Sequence, residues 1–372
     1  MTGPLALFDQ SYDQLQDLMA SWGEPAFRAR QLWTRLYQGL VTSFDEMSEL
    51  PKSLRQRLAR ETVLDRLKLL TDQRSSDGQT RKILFALPDG AQIESVWMGY
   101  ERRRTVCIST QAGCAMGCLF CATGQGGLQR NLTSGEIVEQ ALFFARPPRS
   151  EARGRKPGPR LSTSGSRLEA STLTNIVLMG MGEPFANYEQ VMAAVRRLND
   201  PAGYNFGARR MTVSTVGLVP GIKRLAQEDI QINLAVSLHA ATDDLRDRLV
   251  PANKRYPLGV LLPAVREYIE RTRRRVSFEW ALIEGVNDTP EQASALARLV
   301  KGMLCHVNLI PLNPTSGYRG AASTRQRIVA FRSVLELAGI PHTLRLRRGI
   351  DIQAGCGQLR QRSMNGRRSP SR

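Results

Sequence analysis

The sequence predicts an α/β fold, a partial (β/α)6 barrel with a small helical domain at its amino end. From about residue 105 onward, strand-like runs alternate with helix-period segments six times, and repeated βα units imply a parallel sheet. None of the six carries a dinucleotide-binding glycine fingerprint, which favours an open, partial barrel. At 372 residues the chain exceeds one ordinary core, so a large domain of roughly 250 residues plus a smaller one is expected.

Residues 1–75 read as the helical domain. FRARQLWTRLYQGL (27–40) places apolar residues at helical spacing, and the Leu-Pro at 50 and 51 starts a second helix, PKSLRQRLAR. The period then changes to two. KILFALPDGAQIESVWMGY reads as a hairpin turning at Pro88-Asp89-Gly90, so 76–104 forms a β extension. The barrel is expected over 105–345, with strands TVCIST (105–110), TNIVLMG (174–180), RMTVST (210–215), INLAVSL (232–238), VSFEWALI (276–283) and HVNLIPL (306–312). Helical patterns follow them, such as SGEIVEQALFFAR after the first and TPEQASALARLVKGM after the fifth. One stretch, 147–171, is rich in Pro, Gly, Ser and Arg and reads as a flexible basic insertion; the segment 346–372 ends in a tail of the same character.

Charge narrows the partners. The chain holds 52 Lys and Arg against 34 Asp and Glu, a formal +18, and the excess is concentrated. Between Arg345 and Arg372 stand eight arginines and one acid, Asp351, and another knot, RTRRR, fills 271–275. Guanidinium forks bind phosphate bidentately and stack on bases, so nucleic acid is the expected partner. The opening MTGPLALFDQSYDQ has no basic n-region, and no apolar run approaches about 18 residues. A soluble, cytoplasmic protein with no membrane partner is expected.

Six cysteines occur, three of them within CAMGCLFC at 114–121. Such a cluster in a reducing compartment reads as a metal site, not a disulfide framework. Structural zinc would want a fourth ligand and a matching pair elsewhere; a [4Fe-4S] cluster on Cys114, Cys118 and Cys121 would leave one iron without a protein ligand. Cys305 reads as a core thiol. Cys107 lies in the strand feeding the loop, and Cys356 lies between glycines after the arginines of LRLRR, where a thiolate is favoured. On the residues alone each is either structural or nucleophilic.

The C-x3-C-x2-C spacing, with Phe120 before the last cysteine and the loop following the first barrel strand, resembles the radical S-adenosylmethionine (radical-SAM) superfamily. GMGEP at 180–184 looks like that superfamily's glycine and acid motif. By this likeness Gly182 permits close backbone approach, and Glu183 pairs with the amino group of S-adenosyl-L-methionine (SAM). Ser214, the strand end Ser237-Leu238-His239, and Asn313 are further cofactor contacts. The likeness narrows to the RlmN-type adenine C2 methyltransferases, with Cfr as a cousin. The matching stretches are WMGYERR, TVCISTQAGCAMGCLFCATG, VLMGMGEPFANY, TVSTVGLVPGI, LAVSLHA, EGVND, NLIPLNP and GIDIQAGCGQL, in order over about 94–360. The helical amino end fits that family's accessory RNA-binding domain. STVG stands where the family has STSG, Gly355 where alanine is usual, and the 147–171 insertion is unusual.

Carbon 2 of adenine is electron-poor and cannot attack a methyl sulfonium. The resemblance implies that Cys356 takes a methyl from one SAM by displacement. A second SAM, bound to the open iron, gives a 5′-deoxyadenosyl radical that activates this methyl for addition to carbon 2. Glu94 then accepts the carbon-2 proton, and Cys107 attacks Cys356, releasing product and leaving a disulfide. The implied substrates are adenosine 2503 of 23S rRNA, in the peptidyl-transferase centre, and adenosine 37 of certain tRNAs, with the base extruded from its stack. A flavodoxin or ferredoxin would supply electrons, and the chain would act as a monomer. Two rivals remain: Cfr-like methylation of carbon 8, and a non-catalytic, metal-stabilised RNA-binding protein.

Overall fold

The computed structural model describes residues 4–146, 173–315 and 317–345, together with Gly349, Asp351, Ile352 and Ala354. The insertion at 147–171, Gly355, Cys356 and the basic tail lie outside the described residues.

The amino end builds helices α1 (Tyr12–Ser21), α2 (Phe27–Tyr37) and α3 (Lys52–Glu61). A capping box starts α1: the Ser11 hydroxyl accepts from the Gln14 amide, and the Gln14 side chain accepts in return. Short strands β1 (Leu5–Ala6) and β2 (Thr62–Val63) pair in parallel and close the unit on itself. Its core is aromatic, with Trp33 tilted against Tyr37 at 4.3 Å and Phe8 edge-on to Tyr37 at 5.6 Å. Helix therefore ends at Glu61, and the stretch up to 75 expected to be helical instead holds β3 (Lys68–Arg74), an exposed edge strand of the main sheet. Its run of alternating charge at Lys68, Asp72 and Arg74 gives no apolar face of either period.

Next come β4 (Thr80–Ala86) and β5 (Gln92–Gly99), antiparallel about the turn at Pro88-Asp89-Gly90. Gly90 takes a φ of +83° there, and the Asp89 carboxylate accepts from the Ala91 amide. The barrel strands follow: β6 (Arg104–Cys107), β9 (Asn175–Leu178), β10 (Met211–Thr215), β11 (Asn233–Ser237), β12 (Val276–Leu282) and β13 (Cys305–Pro311). They run parallel, and a short seventh, β14 (His342–Leu344), adds to the edge. Among the described residues the sheet has ten strands in the order β14-β13-β12-β11-β10-β9-β6-β5-β4-β3, with no pairing between its two ends.

Between β6 and β9 lie β7 (Gln111–Gly113), α4 (Ala122–Gln125), β8 (Leu128–Asn131) and α5 (Ser134–Ala145). The later strands lead into α6 (Tyr188–Asn199), α7 (Val219–Leu225), α8 (Asp243–Leu249) with α9 (Leu258–Thr272), α10 (Pro290–Val300) and α11 (Arg325–Leu337). Strand alternation sorts the two faces of the sheet. Val106, Ile176, Val213, Leu234, Val236, Phe278, Trp280, Val307 and Leu309 are 0–1% exposed and belong to the core shared with the helices. Cys107, Ser214, Ser237, Glu279 and Asn308 occupy the alternate positions, so the opposite face is polar; registry sets Ser237, Glu279 and Asn308 side by side. Cys305 is a core thiol, as expected. No helix among the described residues is long and apolar enough to cross a membrane.

Candidate active site at the strand ends

The first barrel strand is shorter than the sequence suggests. Its ladder reaches Ile108, whose amide donates to Val177, and then the Thr110 and Gln111 amides turn to the Met181 carbonyl at 2.8 and 3.1 Å. Residues 111–113 form β7, which pairs with β8, a hairpin the sequence did not disclose. The cysteine loop hangs from it. Its base is closed by the Cys114 amide on the Gly127 carbonyl at 2.9 Å, and its tip by Leu119 on the Leu249 carbonyl of α8 at 3.0 Å. Gly117 holds a φ of +64° between them. Cys114 and Cys118 are buried and Cys121 is half-buried. The thiols lie close enough to raise one another's pKa: burial, then neighbouring sulfur, pushes Cys114 up to about 11 and Cys118 higher still.

Beside the loop stands GMGEP. Ser109 joins three segments: its hydroxyl donates to the Glu94 carbonyl at 2.6 Å and accepts from the Met181 amide at 2.9 Å. Gln111 accepts from the Glu183 amide at 2.8 Å. Gly182, at φ +112°, is needed for this contact, because a Cβ there would lie 2.8 Å from the Gln111 side chain and amide. Glu183 is 2% exposed. One carboxylate oxygen accepts from the Phe185 amide at 3.0 Å, the other from Val216 at 2.8 Å, yet burial still pushes its pKa up to about 7. The carboxylate thus braces the backbone beyond β9 and β10.

Ser214 and Ser237 sit half-buried on the polar face, and Leu238 is fully buried. His239 adopts a left-handed φ of +59°. Its Nδ1 accepts from the Ala281 amide at 2.9 Å, which leaves the proton on Nε2, and its ring meets Phe120 edge-on at 4.8 Å. Burial lowers its pKa to about 3, so the ring is neutral. The strand end is thereby brought against the cysteine loop. Asn313 is half-buried just beyond β13.

Glu94 and Cys107 share the polar face. Val96 pairs with Cys107, so Glu94, two residues away on β5, is its diagonal neighbour. Glu94 is 4% exposed, and its charge helps raise Cys107. Burial is the larger cause, taking that thiol to about 11 against the pull of a Met179 backbone bond and Arg345. Cys356 lies outside the described residues. Near it, the Asp351 carboxylate accepts from the Ser76 amide at 2.7 Å, and the Ala354 amide donates to Gly349. Asp351 therefore meets the β3–β4 turn, and Gly349 lies against Thr80, on the face of the sheet that carries Glu94.

With that geometry in place, comparison with known proteins is decisive. Residues 5–64 match the family model for the ribosomal RNA large subunit methyltransferase N-terminal domain. A protein of Chloroflexus aurantiacus named "Probable dual-specificity RNA methyltransferase RlmN" is 52% identical over 359 residues, covering 95% of this chain and 92% of its own. The "Dual-specificity RNA methyltransferase RlmN 1" of Myxococcus xanthus is 51% identical, covering 95% and 94%. The chain belongs to the RlmN family. A crystal structure of a radical-SAM methyltransferase from Sphaerobacter thermophilus agrees with it at a TM-score of 0.87 and 51% identity, over 95% of this chain and 99% of that one. The RlmN family's cofactors are accordingly a [4Fe-4S] cluster and SAM.

The residues present fit the cluster. Three cysteines stand on one glycine-containing loop, near enough to influence one another's pKa, while no three His, Cys, Asp or Glu side chains among the described residues are gathered tightly enough to hold a single metal ion. Three soft ligands suit iron–sulfur chemistry better than a closed zinc site. Sequence reasoning missed Ser109, Gln111 and Arg246, which hold the site together. Arg246 lies in DDLRDRL, where only Leu245 and Leu249 mark the buried face and the arginine reads as one surface charge among several.

Proposed function

We propose that this chain methylates carbon 2 of adenosine in 23S rRNA, and adenosine 37 of tRNA, through a methylated Cys356. The observation that carries this reading is the placement of Cys107 and Glu94 as diagonal neighbours on the polar face of the sheet. An ordinary methyl transfer to a nucleophilic atom needs neither. When bound, the cluster and SAM supply the methyl group and a carbon radical. The chain's own residues do the rest. Cys356 carries the methyl carbon to the base. Glu94 stands ready to take the carbon-2 proton, and Cys107 to form the disulfide that frees the product. Burial favours the protonated Cys107 thiol in the resting chain, so this proton must leave before the sulfur attacks Cys356.

Residues suited to stacking on bases and pairing with phosphate stand on the helical unit. Phe27 is 54% exposed with the Arg28 guanidinium 4.7 Å over its ring, and Arg30 is exposed beside them. An electron carrier of the flavodoxin or ferredoxin type completes the proposal, with the chain acting as a cytoplasmic monomer. The test is mass spectrometry of nucleosides from RNA treated with the reconstituted protein. The expected product is 2-methyladenosine; 8-methyladenosine would overturn the assignment in favour of Cfr-like chemistry, and no methylation would overturn the enzymatic reading.

A further inference from the structure

Arg246, on α8, is 0% exposed. Its guanidinium makes four hydrogen bonds: Nε to the Leu238 carbonyl at 3.0 Å, Nη1 to Asn253 Oδ1 at 2.8 Å, and Nη2 to the carbonyls of Val216 at 2.6 Å and Ser237 at 3.1 Å. Three of these acceptors close β10 and β11 just where Ser237, Leu238 and His239 stand. Among the described residues Arg246 has no carboxylate at ion-pair distance. Asp243 and Asp247 are reached only through Asn253, whose Nδ2 donates to them at 2.9 and 2.7 Å. A buried cation held by neutral carbonyls is costly to fold, and a nearby anionic group would offset that cost. Burial pulls its pKa down only to about 10, so it stays charged.

The same helix receives the cysteine loop. Leu119 bonds to Leu249 at the end of α8, and Cys118 packs with Leu245, Leu249 and Val250. Arg246 is the next residue after Leu245, so its buried charge lies on the helix against which Cys118 packs. Three thiolates make a bound cluster anionic, and reduction adds a further negative charge.

We propose that Arg246 is the positioning residue of this centre: it clamps the ends of β10 and β11, and its buried charge, on the helix that packs against Cys118, offsets the negative charge that the cluster gains on reduction. The proposal rests on the assignment of Cys114, Cys118 and Cys121 as cluster ligands. The test is an EPR-monitored redox titration of the anaerobically reconstituted full chain, comparing wild type with Arg246→Gln, Arg246→Lys and Asp247→Asn. Arg246→Gln should lower the midpoint potential, Arg246→Lys should keep it near wild type, and Asp247→Asn, which removes a nearby negative charge, should raise it. A midpoint unmoved by both Arg246→Gln and Asp247→Asn overturns the proposal, as does a lysine variant displaced as far as the glutamine one. Where Arg246→Gln fails to take up iron, Asp247→Asn decides alone, because it leaves the arginine in place; an unmoved or lowered midpoint then overturns the charge role. A wild-type chain without the broad visible absorption of a cluster would instead overturn the ligand assignment itself.

Discussion

Glu183 and His239 are both buried beside the same site, and burial moves their pKa values in opposite directions. Glu183 rises to about 7, so between about 4.5 and 7 the folded chain holds a proton that the unfolded chain has released. Its contribution to stability is therefore present below that window and lost as pH rises through 7. His239 falls from 6.5 to about 3. The unfolded chain takes up a proton that the folded chain refuses, so its contribution is present above 6.5 and lost as pH falls. Chemical denaturation of Glu183→Gln and His239→Gln across pH 4 to 8 should remove one slope each, and unchanged slopes would show that neither group titrates as its burial demands. For the thiols, Cys107→Ala should leave a covalent protein–RNA adduct that denaturing gels detect, since the residue assigned to resolution is gone. Methylated RNA without an adduct would count against that role.

At the scale of elements, the site is assembled by loops that interlock. Gly182→Ala would place a methyl 2.8 Å from Gln111 at a φ of +112°, so both the contact and the backbone conformation are penalised. Strained backbone of this kind costs about 1–3 kcal/mol. Melting measurements should show a loss of that size, with weakened SAM binding, because Glu183 is held by the same contact. Thr133→Ala removes the capping box of α5, in which the hydroxyl accepts from Glu136, and should cost about 1 kcal/mol without affecting SAM affinity. The six barrel strands were legible because each is a short run rich in apolar and β-branched residues, with polar ones interleaved, and is followed by a helix-period segment. The β7–β8 hairpin was not, because Gln111–Gly113 and Leu128–Asn131 are short and mostly polar, and backbone pairing alone defines them.

Across the whole molecule, the helical unit is tied to the barrel by polar anchors. Asp9 accepts from the Gly135 amide at the start of α5 and pairs with Arg66 at 2.8 Å. Arg197 donates to the Phe8 and Asp9 carbonyls, and Trp33 donates to Asp200 at 2.9 Å. The two units should unfold in one calorimetric transition. Asp9→Ala, which orphans the Gly135 amide and leaves Arg66 only its longer pairing with Glu136 at 3.8 Å, should cost about 2 kcal/mol; two separate transitions in the unmodified chain would show that these anchors do not couple the units. Phe27→Ala with Arg30→Gln should weaken RNA binding and its salt dependence while leaving SAM affinity unchanged, as measured by filter binding and calorimetry.

The sequence by itself determined the repeated βα plan, the three-cysteine spacing, and the candidate thiols outside it, because periodicity and ligand spacing are local properties of a chain. Tertiary structure alone decided which polar residues converge. Glu94 and Cys107 are 13 positions apart in sequence and become diagonal neighbours only through strand register. Gly182 proved to be needed for Gln111, 71 residues earlier, and Arg246 became a buried clamp in a segment that reads as a charged surface helix. Burial, register and close approach arise from packing distant segments together, and no residue pattern within one segment encodes them.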